Sequence, residues 1–484
     1  MSAINDFLTQ IEEKQIELHS CIIKKGDKYL YQQTALPYTL EQPQMLFSIS
    51  KSFVSLAIGY LVEAKRLRLD EPVLKFFPEY FLKASDSLRE LKIIHLLTMT
   101  SGSTQEQAIF TQSNWIDAYF KQQFTHEPGH YFYYNNMDIY ILSVIVTKIT
   151  GISCNEYLYQ TLFEPLGIER PYWDTCALGY NTGGWGLYLS PRDLSKVAEA
   201  IVKKDPILPQ DYLLRMTSKK VTSAHHSSHD YDQGYGYLCW MNPEDTGARF
   251  DGIFGQLVLF SVEKECYMVI TANCLNTAKL YPIVFDLWKK VLNEEVEASA
   301  RAIPGSLEPM GIETSRIEQF LDTHFSLRLA GVSLLPIPIR FLEKQSGHAE
   351  QFKFVMDHHQ LLLHWQEHYT TNIIRIGLDG RYRYSKLLLY EKQFNVSAIG
   401  WFPNQNTLMI RLVFLEYPYS RVLKFDLLSP KKIMIHFSEN PTVEEVLDQY
   451  AYMLSFTPFV QINAWIVERS YHLIAPSAVA LKRR

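Results

Sequence analysis

Ser48 and Lys51 stand three residues apart at the head of "LFSISKSFVSLAIGYLV", residues 46–62. If a helix begins there, both side chains share one face a single turn apart. A lysine held in that position and partly desolvated can lose its proton and act as a base. The serine, at the positive end of the helix, would have backbone N–H groups nearby to stabilise an oxyanion. A Ser-Lys nucleophile requires this geometry. Ser50 and Ser52 share the same stretch, and each buried hydroxyl left unpaired costs about 1–3 kcal/mol, so the group either caps a helix or does chemistry.

The bare S-x-x-K spacing recurs at Ser261–Lys264 and Ser429–Lys432. The first falls in a hairpin turn and the second beside a proline in a β-rich region, and neither precedes a buried helix. A second feature singles out Ser48: "EPGHYFYYNNMDIYILSVIV" sets Tyr134-Asn135-Asn136 before another apolar helix, after a Pro-Gly turn. A phenol beside an ammonium can shuttle a proton, and a neighbouring amide can hold Lys51 or a substrate carbonyl. The chain has 30 tyrosines, most of them packing residues, but the Y-x-N at a helix mouth favours Tyr134 over Tyr131 and Tyr133.

The elements that must position these residues read as an α+β arrangement. "CIIKKGDKYLYQQT" alternates around Gly26-Asp27 as a hairpin, and "GQLVLFSV" with "CYMVITAN" form another. "SFVSLAIGYLVEAKR", "SLRELKIIHLLTM" and "NNMDIYILSVIVTKITG" read as helices, the last closed by Gly151. The 484-residue length favours more than one domain. The expected division is a first domain over 1–297, a linker over 298–312 rich in Ala, Ser, Pro and Gly, and a β-rich domain over 313–484. In that last part six or so short strands, split by turns such as Asp379-Gly380, indicate an antiparallel β-barrel or sandwich, a lipocalin-like barrel being the form with room for a ligand, and "LKRR" ends it as a frayed tail.

Composition narrows the partners. A net charge of -5, with 47% apolar and 20% charged residues, gives no electrostatic case for nucleic acid or an anionic membrane. The N-terminus lacks a basic region followed by an apolar core, and the longest apolar stretch falls far short of the roughly 20 residues of a membrane span. Six scattered cysteines without a CxxC pair suggest reduced thiols and a cytoplasmic location. A small-molecule ester, amide or peptide is the expected partner, with no cofactor and no metal; the oligomeric state is open. "HWQEH" (His364–His368) fits a zinc signature in letters but continues a β-type run. "HHSSHD", with His225, His226, His229 and Asp230, reads as solvated loop, and the aromatics from Tyr231 to Trp240 read as strand packing that could also line a cleft.

The order S-x-S-K, "HLLTMTSG" (His95–Gly102), "PG…YNN", "LFEPLGI" (Leu162–Ile168) and "GGWGLYLSPRDLSK" (Gly183–Lys196) resembles the serine β-lactamase-related hydrolases, in the class C β-lactamase, D-aminopeptidase and esterase branch. The resemblance covers roughly residues 10–290. It implies a β-lactamase/transpeptidase-like sheet with a flanking helical domain and the site in the cleft between them. It also implies roles: Ser48 as acylated nucleophile, Lys51 as base, Tyr134 as proton shuttle and Asn136 as substrate-positioning amide. The family's third motif, Lys-Thr-Gly or His-x-Gly, falls here on Phe250-Asp251-Gly252. Gly252 permits close backbone approach, Ile253 N–H is the implied second oxyanion donor, and Gln256 matches the small turn that follows. The cation that helps penicillin-type relatives bind a substrate carboxylate is missing, which argues against β-lactam hydrolysis; on a strand Arg249 points to the opposite face from Phe250. The expected function is a serine hydrolase working through an acyl-enzyme. A weakly catalytic protein that captures a cell-wall or lipid-like ligand, and a transacylase, are the alternatives.

Overall fold

The structure is a computed structural model and describes the chain apart from residues 1, 105–111, 224–228, 306–317, 322, 328–331, 343–346, 359, 443, 447–476 and 483–484. It divides into two units, Met1–Thr34 with Leu40–Pro304, and Ala35–Thr39 with Gly305–Arg484. Much of the expected linker, 306–312, lies outside the described residues.

In the first unit, helix α1 (Ala3–Glu13) starts where Ser2 accepts the Asn5 N–H, and buries Ile4, Phe7, Leu8 and Ile11 along one stripe. The Gly26-Asp27 turn joins β1 (Glu17–Lys25) to β2 (Lys28–Thr34) as the alternation predicts. β1 then pairs antiparallel with a strand some 250 residues on, from Glu17 opposite Asn273 to Lys25 opposite Cys266. Two-residue strands β3 (Gln44–Met45) and β4 (Tyr188–Leu189) pair with each other. The main sheet is completed by β5 (Trp240–Met241), β6 (Ala248–Gly252), β7 (Gln256–Ser261) and β8 (Cys266–Asn273), in the order β2-β1-β8-β7-β6-β5. Every residue of β7 and β8 is buried, which is why both read as unbroken apolar runs rather than alternating ones.

Helices α2 (Ile49–Glu63) and α3 (Asn136–Thr150) are buried on nearly all sides and pack on one another, as their apolar sequences require. Helix α4 (Pro191–Val202) lies along β7 and β8, and α5 (Thr277–Asn293) packs against α1. Gly151, at φ +80, closes α3. The expected helix over "SLRELKIIHLLTM" is instead two short ones, Asp86–Glu90 and Ile93–Leu97. Between them the chain extends so that Val73 N–H reaches Leu91 O and Ile93 N–H reaches Glu71 O, and tertiary bonds override the local helical period. No single helix among the described residues is long and apolar enough to cross a membrane.

Among its described residues the second unit carries ten strands, where the sequence indicates six or so: β9 (Phe325–Leu327), β10 (Ala349–Asp357), β11 (Gln360–Glu367), β12 (Thr370–Gly377), β13 (Arg383–Leu389), β14 (Lys392–Asn404), β15 (Thr407–Phe414), β16 (Tyr419–Ser429), β17 (Lys432–Asn440) and β18 (Ser477–Lys482). "QFKFVMDHHQLLLHW" is two of them, broken at His358, whose φ is +53. The sheet closes through Gly377 opposite Ile399, which makes a nine-stranded barrel with β13 outside the ring. The ring closes in part because Leu481 and Lys482 of the supposed tail pair with β9 and β17. Phe352, Phe354, Trp365 and Phe425 fill part of the interior, with ring centroids 5.1–5.8 Å apart, so packed side chains take space the sequence left open for a ligand. β11 places His364 and Glu367 on opposite faces, and Glu367 is buried with Ser333, Trp365 and Tyr390, so the HWQEH letters make no zinc site.

Glu416, between β15 and β16, accepts the Asn395 N–H, and burial pushes its carboxyl from 4.5 up to about 7. The folded chain therefore holds a proton there that the unfolded chain releases. The stability this supplies is full below about pH 4.5 and lost as pH rises through about 7. Glu416→Gln should flatten the fall of melting temperature between pH 5 and 8; an unchanged slope would assign it to other groups.

Candidate active site

Ser48 occupies the N-cap position of α2 yet caps nothing. Its Oγ lies 2.8 Å from Lys51 Nζ, one turn along the helix. Lys51 is 1% exposed, and its Nζ also donates to Gly184 O at 2.7 Å and sits 4.8 Å from the centre of the Tyr134 ring. The other hydroxyls of the segment are structural. Ser50 Oγ accepts the Leu187 N–H, Ser52 Oγ donates to Leu238 O, and Ser55 Oγ donates to Tyr237 O. The polar cluster thus splits: three serines tie α2 to the surrounding chain, and the fourth meets the lysine.

Three elements hold this pair. The β3–β4 pairing and the Leu46 N–H bond to Leu187 O fasten the entry to α2 onto the strip that follows Gly184. A Cβ on Gly184 would lie 3.0 Å from Asn136 Oδ1 and 3.1 Å from Asn136 Cβ, so glycine lets the carbonyl reach Lys51 with Asn136 packed against it. At the mouth of α3 the two asparagines divide their work. Asn135 caps the helix through the Met137 N–H and donates to Ser103, while Asn136, the first helical residue, faces Gly184.

The turn after β6 comes close to the nucleophile from the sheet. A Cβ on Gly252 would lie 2.5 Å from Leu46 O, so any side chain there would push β6 away from the turn that carries Ser48. Ile253 follows directly. The N–H groups of Ser48 and Ile253 donate to none of the turn and loop carbonyls among the described residues. Gln256 does not join the group: it is buried, and its Nε2 donates to Ala272 O at 2.7 Å, bracing β7 against β8. Ser48, Lys51, Tyr134, Asn136 and Gly252 are therefore linked by contacts, Ile253 by its place in the chain, and Gln256 is not.

A buried charge network beside them escapes sequence reasoning. Arg249 Nε meets Asp251 Oδ2 at 2.8 Å, and the guanidinium also donates to Met241 O and Asp230 O. Tyr281 OH and Tyr231 OH donate to Asp251 Oδ1 at 2.7 and 3.3 Å. Burial lifts the Asp251 carboxyl above the ordinary carboxylate range, against the pull of Arg249. Phe250 faces the other way, toward Phe53 and Phe260. The guanidinium lies 5.3 Å from the Tyr231 ring and 6.0 Å from Trp240, and Trp240 stacks at 5.7 Å on Tyr134. The R-x-D spacing on a strand hints at the ion pair, because alternate residues share a face. Tyr231 and Tyr281 give no local signal. His225 and His226 lie outside the described residues, and among the described ones no group of three or more His, Cys, Asp or Glu is placed to hold a metal.

Known proteins resemble this chain as follows. The Beta-lactamase family model matches residues 13–292. "Protein flp" of Staphylococcus aureus (strain N315) is 30% identical over 127 residues, which cover 25% of this chain and 26% of that protein. The match thus spans about a quarter of that relative's length. "Beta-lactamase" of Escherichia coli (strain K12) is 22% identical over 329 residues, covering 54% of this chain and 85% of the relative. Among solved structures, the octameric penicillin-binding protein homologue from Pyrococcus abyssi covers 90% of this chain and 97% of its own, with TM-score 0.50 and 17% identity, a likeness of fold.

Proposed function

The chain belongs to the Beta-lactamase family, and we propose that within it this protein is a serine hydrolase that cleaves a small ester, amide or peptide through an acyl-enzyme on Ser48. The observation that carries the reading is the 2.8 Å contact between Nζ of the buried Lys51 and Ser48 Oγ. Lys51 takes the hydroxyl proton as Ser48 attacks the carbonyl carbon. The N–H groups of Ser48 and Ile253 hold the oxyanion, and Gly184 O and Asn136 keep the amine and the substrate in place. Tyr134 relays the proton to the leaving group. Water then attacks the ester carbonyl by the reverse sequence and frees the serine. The six free thiols support a reducing compartment such as the cytoplasm.

Substrate charge follows from the strand beside Ser48. Phe250 stands where penicillin-type relatives carry a cation, and Arg249 is held by Asp251 and two carbonyls. A substrate carboxylate would forgo a charge-assisted hydrogen bond worth about 1.5–3 kcal/mol, or roughly 10–10²-fold in kcat/KM. A p-nitrophenyl ester without a carboxylate should therefore be turned over at least about tenfold more efficiently than nitrocefin, which has one. Equal or better turnover of nitrocefin would refute this selectivity.

A further inference from the structure

The turn that delivers Ser48 and the turn that delivers Ile253 are each completed by a phenylalanine in left-handed backbone. Phe47, directly before Ser48, has φ +47, and Phe254, directly after Ile253, has φ +71. Side chains other than glycine rarely adopt this region, and a glycine, Gly255 at φ +80, sits beside Phe254. Such conformations persist where the surroundings impose them, and they gather at functional sites. Here the two rings meet, with centroids 5.0 Å apart and planes at 46°, and both are buried. The backbones are anchored as well: Phe47 O accepts the Ser50 N–H, Phe254 O accepts the Cys274 N–H, and Gly252 abuts Leu46 O.

We propose that Phe47 and Phe254 form an aromatic clasp that sets the separation of the two oxyanion donors, Ser48 N–H and Ile253 N–H. They are positioning residues, since neither ring need touch the reacting atoms. The proposal rests on Ser48 being the acylated nucleophile. Two donors stabilise one oxygen only when both lie about 2.7–3.1 Å from where the oxyanion forms, so a small drift between the turns is felt in the transition state more than in the bound substrate. The clasp joins the two turns next to the donors themselves, where such drift would arise.

The test compares a p-nitrophenyl ester with its thiono counterpart, whose sulfur accepts N–H hydrogen bonds weakly. Phe254→Ala should lower kcat for the oxygen ester about 10–10²-fold, with KM changed by less than about threefold, and should affect the thiono ester much less. Phe254→Tyr, which keeps the ring, should restore kcat. Phe47→Ala should behave like Phe254→Ala, and the double variant should lose little more than the worse single one. If Phe254→Ala does not fold, Phe254→Leu is measured in its place against the same two esters. An equal fall for both esters, or a rise in KM at constant kcat, overturns the clasp. Failure of the nucleophile assignment looks different, because a Ser48→Ala enzyme would then still turn over.

Discussion

A Lys51→Met variant is expected to lose about 10²–10⁴-fold in kcat while still folding. Methionine matches the length and burial of the lysine stem but supplies neither a base for Ser48 nor a donor for Gly184 O. The orphaned carbonyl should cost about 1–3 kcal/mol of stability, which a melting curve separates from the much larger loss of rate. Lys51→Arg sharpens the point. Its guanidinium keeps the charge and can still donate to Gly184 O, yet it cannot give up a proton. The arginine variant should therefore be as inactive as the methionine one, and recovery to within about tenfold of the parent would show that the site needs a charge there and not a base.

Ser48→Ala should be more damaging still, about 10⁴–10⁶-fold in kcat, since acylation has no other nucleophile. Its effect on folding should be slight. An N-cap serine ordinarily contributes about 0.5–2 kcal/mol, but this one makes no cap bond, so the variant should stay within about 0.5 kcal/mol of the parent. Large loss of activity with unchanged stability is the signature of a side chain kept for chemistry. The opposite pattern would return Ser48 to the role of a cap.

Much of this site is legible because its key pair is local. Ser48 and Lys51 are one helical turn apart, and an apolar run such as "SFVSLAIGYLV" can only be a buried helix, so type, spacing and context coincide. The hairpin at Gly26-Asp27 and the cap at Gly151 are local in the same sense. Long-range choices were hidden. Nothing in Tyr134-Asn135-Asn136 says that the first asparagine caps α3 and the second packs on Gly184, because that depends on a strip of chain some fifty residues away. Arg249 and Asp251 find Tyr231 and Tyr281 through the sheet and α5, and Gln256 turns inward to Ala272 for want of any signal in its own neighbourhood. In the β unit, alternation shows strands but not their breaks or closure: the turn at His358 and the pairing of Leu481 with β17 follow from register, which period-2 patterning leaves open.

The account stands or falls on one covalent bond. Mapping the intact protein by mass spectrometry after a fluorophosphonate probe should find one adduct per chain, on the peptide that contains Ser48, formed slowly in Lys51→Met and absent in Ser48→Ala. An adduct on a different residue, or undiminished labelling of Ser48→Ala, would contradict it.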